Sequence, residues 1–213
     1  QKLNDINLTN MTLINTDFPK YLNDICKNFN MRMIHISTDC VFSGNTGMYN
    51  ELSVPDPIDE YGLSKLKGEV VDSKNTLTLR MSIVGHEMTT NYSLLDWFLS
   101  QKSSVTGYSK AIFSGLTTLE LSSIIEKYVI NSDMSGLYHI GNSPIDKMLF
   151  LKIVAKHYKK SIQILDSSQF KINRSLDSSF FTNQTGYIKP TWDKMVMDLY
   201  SQDYLKYRIN KLE

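Results

Sequence analysis

Several features that would direct a protein to a particular class of function are missing from this sequence. Only two cysteines, Cys26 and Cys40, occur among the 213 residues, too few for a disulfide framework or a cysteine-ligated metal site. No apolar run approaches the roughly 20 residues that a membrane-spanning helix needs. The formal net charge is +1, so no surplus of charge favours a nucleic acid or an anionic membrane as partner. These absences predict a globular protein of a reducing compartment, the cytoplasm, with no metal, nucleic-acid or membrane partner.

The first third of the chain contains an alternation of helical and strand patterns. Apolar residues recur near helical spacing over residues 11–30, and Met31–Ser37 is typical of a buried parallel strand. A long polar loop follows over Thr38–Ile58, and a helix is predicted over Asp59–Ser73. Thr76–Ser82 is typical of the next strand. The order helix, strand, helix, strand predicts a parallel sheet with crossover helices, and therefore an α/β fold.

The rest of the chain has a mixed pattern. Helices are predicted at Ser93–Ser100, Thr118–Ile130, Pro144–Tyr158 and Trp192–Asn210, and short strands at Gly136–Ile140 and Ile162–Leu165. Because these elements do not alternate regularly, they favour a smaller substrate-binding lobe over residues 91–213, packed on a sheet domain of residues 1–90. Segments near residues 107–130 are expected to return to the sheet domain.

Tyr61 and Lys65 have the clearest chemistry, because their spacing places both side chains on one face of the predicted helix. A phenol has an unperturbed pKa of about 10 and exchanges protons poorly at neutral pH. A neighbouring ammonium group stabilises the phenolate and lowers that pKa, which suits the pair to general acid–base catalysis. Thr38 follows a predicted strand at its carboxyl end, where ligands bind in open parallel sheets. Its hydroxyl is therefore in a position to hold a substrate oxygen beside the tyrosine.

The spacing of the tyrosine and the lysine is weak evidence by itself. With 12 tyrosines and 19 lysines in the chain, about one such pair is expected by chance, and a second pair, Tyr207 with Lys211, is present. No strand and threonine-containing loop precede the second pair, so it is interpreted as a solvated helix face. The prediction for Tyr61 therefore depends on its surroundings.

Those surroundings follow a longer pattern. The motif STDCVFSG at residues 37–44 is followed, after an acidic and proline-containing loop, by YGLSK at residues 61–65 and then by Gly68 and Glu69. This segment closely resembles the extended short-chain dehydrogenase/reductase family, and within it the dTDP-4-dehydrorhamnose reductase branch. The resemblance implies a Rossmann fold, which is a doubly wound parallel sheet, together with a smaller α/β substrate-binding lobe. It also implies that Thr38, Tyr61 and Lys65 form the catalytic triad.

Further segments extend the resemblance over nearly the whole chain. LRMSIVG at residues 79–85 is similar to the family's strand and loop that pass the nicotinamide, and AIFSGLTT at residues 111–118 is similar to its substrate loop. The resemblance implies cofactor contacts by Asn15, Ser37, Tyr61, Lys65, Met81, Ser82 and Ile83. It implies substrate contacts by Asp39, Val41, His86, Lys110, Phe113, Ser114 and Arg174.

Some of these residues have two interpretations. Asp39 is suited either to meeting a sugar hydroxyl or to capping its own loop. Lys110 and Arg174 are suited to holding the diphosphate of a nucleotide, or to being ordinary surface charges. His86 either faces the sugar or is an unspecialised loop histidine.

The resemblance implies a function and its participants. The reaction is the NADPH- or NADH-dependent reduction of a dTDP- or UDP-linked 4-keto-6-deoxysugar for cell-surface polysaccharide, and the family often forms homodimers. Two alternatives stay open, which are a nucleotide-sugar epimerase of the same superfamily and a non-catalytic reductase-like regulatory subunit. A dehydratase is disfavoured, because Asp39 and Cys40 follow Thr38 where dehydratases usually have an Asp-Glu pair.

One element of the family pattern is missing. The fingerprint G-x-x-G-x-x-G holds the pyrophosphate of a dinucleotide at a helix N-terminus. The ten glycines of this sequence include no such run, and Gly44 with Gly47 supplies only G-x-x-G. The order of the motifs therefore leads us to expect the N-terminal βαβ nucleotide-binding half of the Rossmann domain upstream of Gln1.

Overall fold

Helices and short strands alternate along the chain, which a computed structural model describes from residue 8 to residue 202. The α-helices are α1 (Leu8–Thr12), α2 (Phe18–Asn28), α3 (Glu60–Lys67), α4 (Leu94–Ser100), α5 (Thr118–Ile124), α6 (Lys147–His157), α7 (Ser179–Thr185) and α8 (Trp192–Ser201). The strands are β1 (Met33–Ile36), β2 (Thr76–Arg80), β3 (Ile83–Val84), β4 (Val105–Tyr108), β5 (Ala111–Phe113), β6 (Leu116–Thr117), β7 (Gly136–His139), β8 (Ile145–Asp146), β9 (Ile164–Ser167) and β10 (Ile172–Asn173). Across residues 8–202, no helix is long and apolar enough to cross a membrane.

The central sheet consists of three parallel strands in the order β1–β2–β7. Every residue of β2 is buried, which is the pattern of a strand that is covered on both faces. Helix α3 lies between β1 and β2 in the chain, as a parallel crossover requires. The prediction of a parallel sheet with crossover helices is confirmed. The three strands end at one edge, where Ile36 is aligned with Leu79 and Leu79 with Tyr138.

The remaining strands form smaller sheets. Strand β5 lies between β10, to which it is parallel, and β8, to which it is antiparallel. Strands β3 and β6 form a parallel pair, as do β4 and β9. Of the strands in these smaller sheets, the sequence pattern predicted only β9, because runs of two to four residues are too short to display a period of two. Strands on both sides of residue 90 pair with one another, and the division into two domains there stays a prediction.

The buried apolar side chains form two groups. The larger contains residues of β2, α4, α6 and α8, among them Leu77, Leu79, Phe98, Phe150 and Met195. The smaller contains Val41, Phe42, Tyr49 and Leu176. It joins the loop after β1 to the segment after β10, because Leu176 belongs to the same cluster as the loop residues Val41, Phe42 and Tyr49. The rings of Phe42 and Tyr49 stack with centroids 4.2 Å apart. The loop that carries Thr38 is therefore packed against buried side chains.

The helix boundaries differ from the predicted ones at three places. Helix α3 ends at Lys67, short of the predicted Ser73, because the chain turns at Gly68. Helix α6 begins at Lys147, where the Asp146 side chain accepts a hydrogen bond from the Leu149 N–H, so the predicted start at Pro144 is wrong. Helix α8 is described to Ser201, and most of the remainder of the predicted Trp192–Asn210 helix lies outside the described residues.

Gly68 is required by a close approach of the chain to the helix that precedes β1. A Cβ atom at this position would overlap the carbonyl oxygen of Asn15. The backbone of Gly68 has a φ of −91°, which alanine adopts without strain. In the absence of a clash, Gly68→Ala should stabilise the protein by about 0.4–1 kcal/mol. We expect instead a loss of about 1–3 kcal/mol in the free energy of unfolding, measured by urea denaturation, because the two segments must separate. A stabilised variant would contradict this account.

Candidate active site

The Thr38 side chain is held at the carboxyl end of β1. Its hydroxyl oxygen accepts a hydrogen bond from the Cys40 N–H at 3.1 Å and caps the short 3₁₀ helix Asp39–Val41. The Asp39 N–H donates to the carbonyl of Met81 at 3.1 Å, which ties this loop to the segment after β2. The threonine is only 7% exposed, so its hydroxyl has a defined position at the sheet edge.

Tyr61 and Lys65 lie on α3, as the sequence predicts. The carboxylate of Asp59 accepts a hydrogen bond from the Gly62 N–H at 2.7 Å and begins the helix just before Tyr61. The phenol is 38% exposed. The Lys65 ammonium donates to the Ile36 carbonyl at 2.7 Å, at the end of the strand that precedes Thr38. The structure therefore brings Thr38, Tyr61 and Lys65 together at one edge of the central sheet.

The pKa of Tyr61 is raised rather than lowered. Burial of the phenol is the main cause, the groups of Cys40 and Asp39 add to it, and interaction with the Thr38 side chain lowers the pKa. Lys65 is not among the largest influences on this pKa. The shift of the Tyr61 pKa is therefore opposite in direction to the lowering expected from the lysine. The pKa of Lys65 itself is lowered by burial and raised by Glu69.

Asn15 contacts the helix of the candidate triad. It lies in the π-helical turn Leu13–Asp17, and its side-chain amide donates to the Ser64 hydroxyl at 3.1 Å. The neighbouring Thr16 hydroxyl donates to the Ser64 carbonyl at 2.8 Å. Such turns often occur at functional sites. Asn15 therefore contacts Ser64, the residue that precedes Lys65 on α3.

A buried ion pair below the sheet edge was not predicted from the sequence. Glu69 and Arg80 form a two-pronged salt bridge with N–O distances of 2.7 and 2.8 Å, and both side chains are 4% exposed. The Ser37 hydroxyl donates to the same Glu69 carboxylate at 2.6 Å. Glu69 thus connects the residue before Thr38 with β2 and with the chain after α3. The one signal in the sequence was a glutamate four residues after Lys65.

The ion pair continues towards β7. Arg80 lies 3.4 Å from the His139 ring nitrogen Nε2, and its guanidinium is 5.2 Å from the centre of the Phe42 ring. The other ring nitrogen of His139 is 2.9 Å from the Tyr49 carbonyl oxygen. Burial and the nearby Arg80 charge lower the pKa of His139 to about 4, so this ring is neutral at pH 7. The network therefore connects the end of β1 with β2 and β7 through buried side chains.

Asp39 lies among charged residues beside the triad. Burial raises the pKa of its carboxyl to about 6, although the positive charges of Arg174 and Lys147 act in the opposite direction. Arg174 donates to the Cys40 sulfur at 3.1 Å and lies 3.6 Å from the Asp59 carboxylate. Arg174 therefore connects the two ends of the segment that separates Thr38 from Tyr61. No sequence pattern indicated Lys147.

The segment predicted to pass the nicotinamide crosses the same sheet edge. Met81 is buried, Ser82 is half-buried and accepts the Leu116 N–H at 2.9 Å through its carbonyl, and Ile83 is 46% exposed. Ile83 therefore presents an exposed apolar side chain three residues after the end of β2. Among residues 8–202, no cluster of three or more His, Cys, Asp or Glu side chains could hold a metal ion.

The remaining predicted substrate residues are placed differently. Val41 and Phe113 are packed in the buried clusters, and the Ser114 hydroxyl accepts the Leu176 N–H at 2.8 Å. His86 lies between Asp96 and Tyr158, at a distance of 2.8 Å from each, and its side chain is 5% exposed. Lys110 is exposed in the turn between β4 and β5. The second Tyr-x-x-x-Lys pair, Tyr207 with Lys211, lies outside the described residues.

The raised pKa of Asp39 predicts a pH dependence of stability. Its folded-state pKa of about 6 exceeds the unfolded value of 3.8, so the folded protein binds more protons between these values. This carboxyl therefore lowers the free energy of unfolding as the pH rises from about 4 to 6. Asp39→Asn should remove that loss, and its stability relative to the unmodified protein should rise by on the order of 2–3 kcal/mol between about pH 4 and 7.

Urea denaturation of both proteins across this pH range tests the prediction. His35 and His139, whose pKa values are lowered to about 4, produce the opposite slope, since they lose stability as the pH falls. Their contribution is common to both proteins, and the difference isolates Asp39. Parallel curves for the two proteins would refute the prediction.

A parallel sheet with a threonine, a tyrosine and a lysine at its carboxyl edge defines a class, the reductase-like α/β proteins of the Rossmann type. The family model described as "RmlD substrate binding domain" matches residues 7–202. The chain belongs to this family, whose relatives include sugar-nucleotide reductases.

Two curated proteins are similar in sequence. A Haloferax volcanii protein named "Probable low-salt glycan biosynthesis reductase" is 46% identical over 77 residues, which is 34% of this chain and 26% of that protein. The dTDP-4-dehydrorhamnose reductase of Aggregatibacter actinomycetemcomitans is 28% identical over 141 residues, which is 62% of this chain and 48% of that protein. The chain therefore spans about half the length of these relatives or less.

A solved structure establishes the fold. The dTDP-4-dehydrorhamnose reductase of Bacillus anthracis, in complex with NADP, superposes with a TM-score of 0.75 and 20% identity over 87% of this chain and 70% of that chain. The predicted Rossmann-like α/β fold is confirmed.

Proposed function

We propose that the protein reduces the keto group of a dTDP- or UDP-linked 4-keto-6-deoxysugar, with NADPH or NADH as reductant, in the synthesis of cell-surface polysaccharide. The observation that carries this proposal is the meeting of Thr38, Tyr61 and Lys65 at the carboxyl edge of the central sheet. Membership of a family with sugar-nucleotide reductases supports the substrate class.

The proposed chemistry assigns one task to each side chain. A reduced nicotinamide, when bound, supplies the hydride that adds to the carbonyl carbon of the sugar. Tyr61 gives its phenolic proton to the carbonyl oxygen, so that the ketone becomes a secondary alcohol. The Thr38 hydroxyl donates a hydrogen bond to the same oxygen and orients it. A phenol whose pKa is raised holds its proton at neutral pH, as a proton donor must.

Lys65 is proposed to act in two ways. Its hydrogen bond to the Ile36 carbonyl fixes its ammonium at the end of β1, and the lysine lies one helical turn after Tyr61 on α3. From there the remaining N–H groups are available to ribose hydroxyls, beside Asn15 and Ser37. Its positive charge also stabilises the phenolate that forms once Tyr61 has lost its proton.

Reduction is favoured over dehydration by the residue that follows Asp39. Dehydration requires a base at this position, and Cys40 does not supply one. Burial and the Asp39 charge raise the pKa of the Cys40 thiol to about 11, so it is neutral at pH 7. An epimerase of the same superfamily is the second candidate. It differs in that it consumes no net reduced cofactor.

The test is an assay of the protein expressed from its full coding sequence. Oxidation of NADPH or NADH is followed by absorbance, with dTDP- and UDP-linked 4-keto-6-deoxysugars as substrates. We expect one mole of reduced cofactor to be consumed for each mole of sugar alcohol formed. Interconversion of sugars without net consumption would identify an epimerase. Tight cofactor binding with no turnover of any such sugar would favour the regulatory subunit.

A further inference from the structure

Gly62 is the third residue of α3 and directly follows Tyr61. Its backbone is helical, so no left-handed conformation requires a glycine at this position. Within a helix, alanine is more favourable than glycine, because glycine loses more backbone freedom when the chain folds. A glycine here therefore weakens α3 locally, and its presence points to a constraint from packing.

The constraint is a close approach of α3 to the loop after β1. A Cβ atom at Gly62 would overlap the carbonyl oxygen of Cys40 and would lie 3.1 Å from the Cβ atom of Pro57. The Cys40 oxygen is a backbone atom of the short 3₁₀ helix Asp39–Val41, so it cannot move aside as the end of a flexible side chain can. The first turn of α3 therefore packs directly on the Cys40 backbone.

The Cys40 backbone also holds the threonine of the candidate triad. Its N–H group donates to the Thr38 hydroxyl oxygen at 3.1 Å. The Tyr61 phenol, carried by the residue before Gly62, interacts with the Thr38 side chain. One residue thus contacts the threonine through its N–H group and the helix of the tyrosine through its carbonyl group. These two contacts together determine how closely α3 approaches Thr38.

We propose that Gly62 is a positioning residue, which sets the distance between the Tyr61 phenol and the Thr38 hydroxyl by allowing α3 to pack on the Cys40 backbone. The inference rests on the proposed function, in which both groups act on one carbonyl oxygen of the sugar. A proton donor must lie about 2.6–3.2 Å from the oxygen that it protonates. Relief of the overlap in Gly62→Ala requires a shift of about 1 Å, and a displacement of that size can lower a rate about 10²-fold.

Steady-state assays of the protein expressed from its full coding sequence test the effect on turnover. With dTDP- or UDP-linked 4-keto-6-deoxysugars as substrates, Gly62→Ala should lower the turnover number about 10- to 100-fold. The KM for the sugar should change less than about twofold, because the phenol acts in the transition state. The control is Gly107→Ala, which adds a Cβ atom to a buried glycine of β4, against the side chains of Ile164 and Met148. It should retain full turnover.

A double-mutant cycle with Tyr61→Phe separates a positioning role from a general loss of structure. If Gly62 acts through the phenol, Gly62→Ala should change the residual turnover of Tyr61→Phe less than about twofold. A general loss of structure would instead lower the turnover of both backgrounds by the same factor.

Ionisation of the Tyr61 phenol provides a readout that does not depend on turnover. It is followed by ultraviolet difference absorbance as the pH rises, with the corresponding Tyr61→Phe protein as the reference. Burial is the main cause of the raised pKa of this phenol, so displacement of α3 in Gly62→Ala should allow the phenol to ionise at lower pH. Gly107→Ala should leave the ionisation unchanged. Circular dichroism establishes that each protein is folded.

Turnover of Gly62→Ala within about twofold of the unmodified protein would overturn the inference. An equal loss in Gly107→Ala, a full additional loss in the Tyr61→Phe background, or unchanged ionisation of the phenol would also overturn it. So would failure of Gly62→Ala to fold, since the glycine would then be a requirement of folding. Failure of the proposed function looks different, because the unmodified protein would consume no reduced cofactor while the phenol of Gly62→Ala still ionised at lower pH.

Discussion

Replacement of Tyr61 by phenylalanine is expected to lower the turnover number about 10²- to 10⁴-fold while the protein stays folded. The phenol interacts with the Thr38 side chain and can transfer a proton to the carbonyl oxygen of the substrate. Its pKa is raised by burial, so at neutral pH the proton is present and is given up only as negative charge develops on that oxygen. Phenylalanine keeps the ring and removes only the proton.

Steady-state assays of Tyr61→Phe with the preferred 4-keto sugar measure this effect. Affinity for the nucleotide, measured separately, should be nearly unchanged, because the phenol acts on the sugar carbonyl. The matched control is Tyr207→Phe, which alters the tyrosine of the second Tyr-x-x-x-Lys pair. Turnover in Tyr61→Phe that equals turnover in Tyr207→Phe would mean that the proposed mechanism is wrong.

Removal of the Arg80 charge should produce the largest loss of stability. Arg80→Met leaves the Glu69 carboxylate buried, with the Ser37 hydroxyl as its one hydrogen-bond partner among residues 8–202. Breaking one side of a buried ion pair typically costs about 3–5 kcal/mol, because the remaining charge is neither solvated nor neutralised. The same change removes the guanidinium from the face of the Phe42 ring.

Urea denaturation of Arg80→Met, Glu69→Gln and the double variant tests this account through a double-mutant cycle. The double variant should be clearly more stable than the sum of the single effects predicts, because a neutral glutamine needs no counter-charge. The surface control is Lys194→Met, which breaks the i,i+4 pair with Asp198 and should cost less than about 1 kcal/mol. Equal losses for Arg80→Met and Lys194→Met would contradict the assignment of a buried pair.

Local sequence was sufficient for the elements that carry the candidate triad. The apolar runs of β1 and β2 and the helical pattern of α3 are visible in the sequence. Thr38 follows the first of these strands, and Tyr61 and Lys65 lie within the helix, so the positions of all three residues could be predicted. The short strands β5, β8 and β10 have no such signal, because two or three residues cannot display a period. Arg174, which follows β10, was predicted only through the family resemblance, and Lys147, which follows β8, was not predicted.

Burial also changed the chemistry that was expected from residue types. Phe113 and Val41 were predicted to meet substrate, but their side chains pack in the protein interior. His86 was expected either to face the sugar or to be an unspecialised loop histidine. In the structure both of its ring nitrogens are engaged, one with Asp96 and the other with Tyr158. These outcomes depend on which apolar faces meet, which is a property of packing between elements far apart in sequence.

By itself, the sequence determined the α/β class, the parallel arrangement of the central strands and the residues at the end of β1 and on α3. These follow from short-range periodicity and from the rule that parallel strands end at one edge. Only the tertiary structure decided that Lys65 bonds to the Ile36 carbonyl, that Glu69 joins Ser37 to Arg80, and that Lys147 and Arg174 converge near Asp39. Some of these interactions join residues more than about a hundred positions apart in the sequence. Their strength depends on burial, which a linear pattern does not contain.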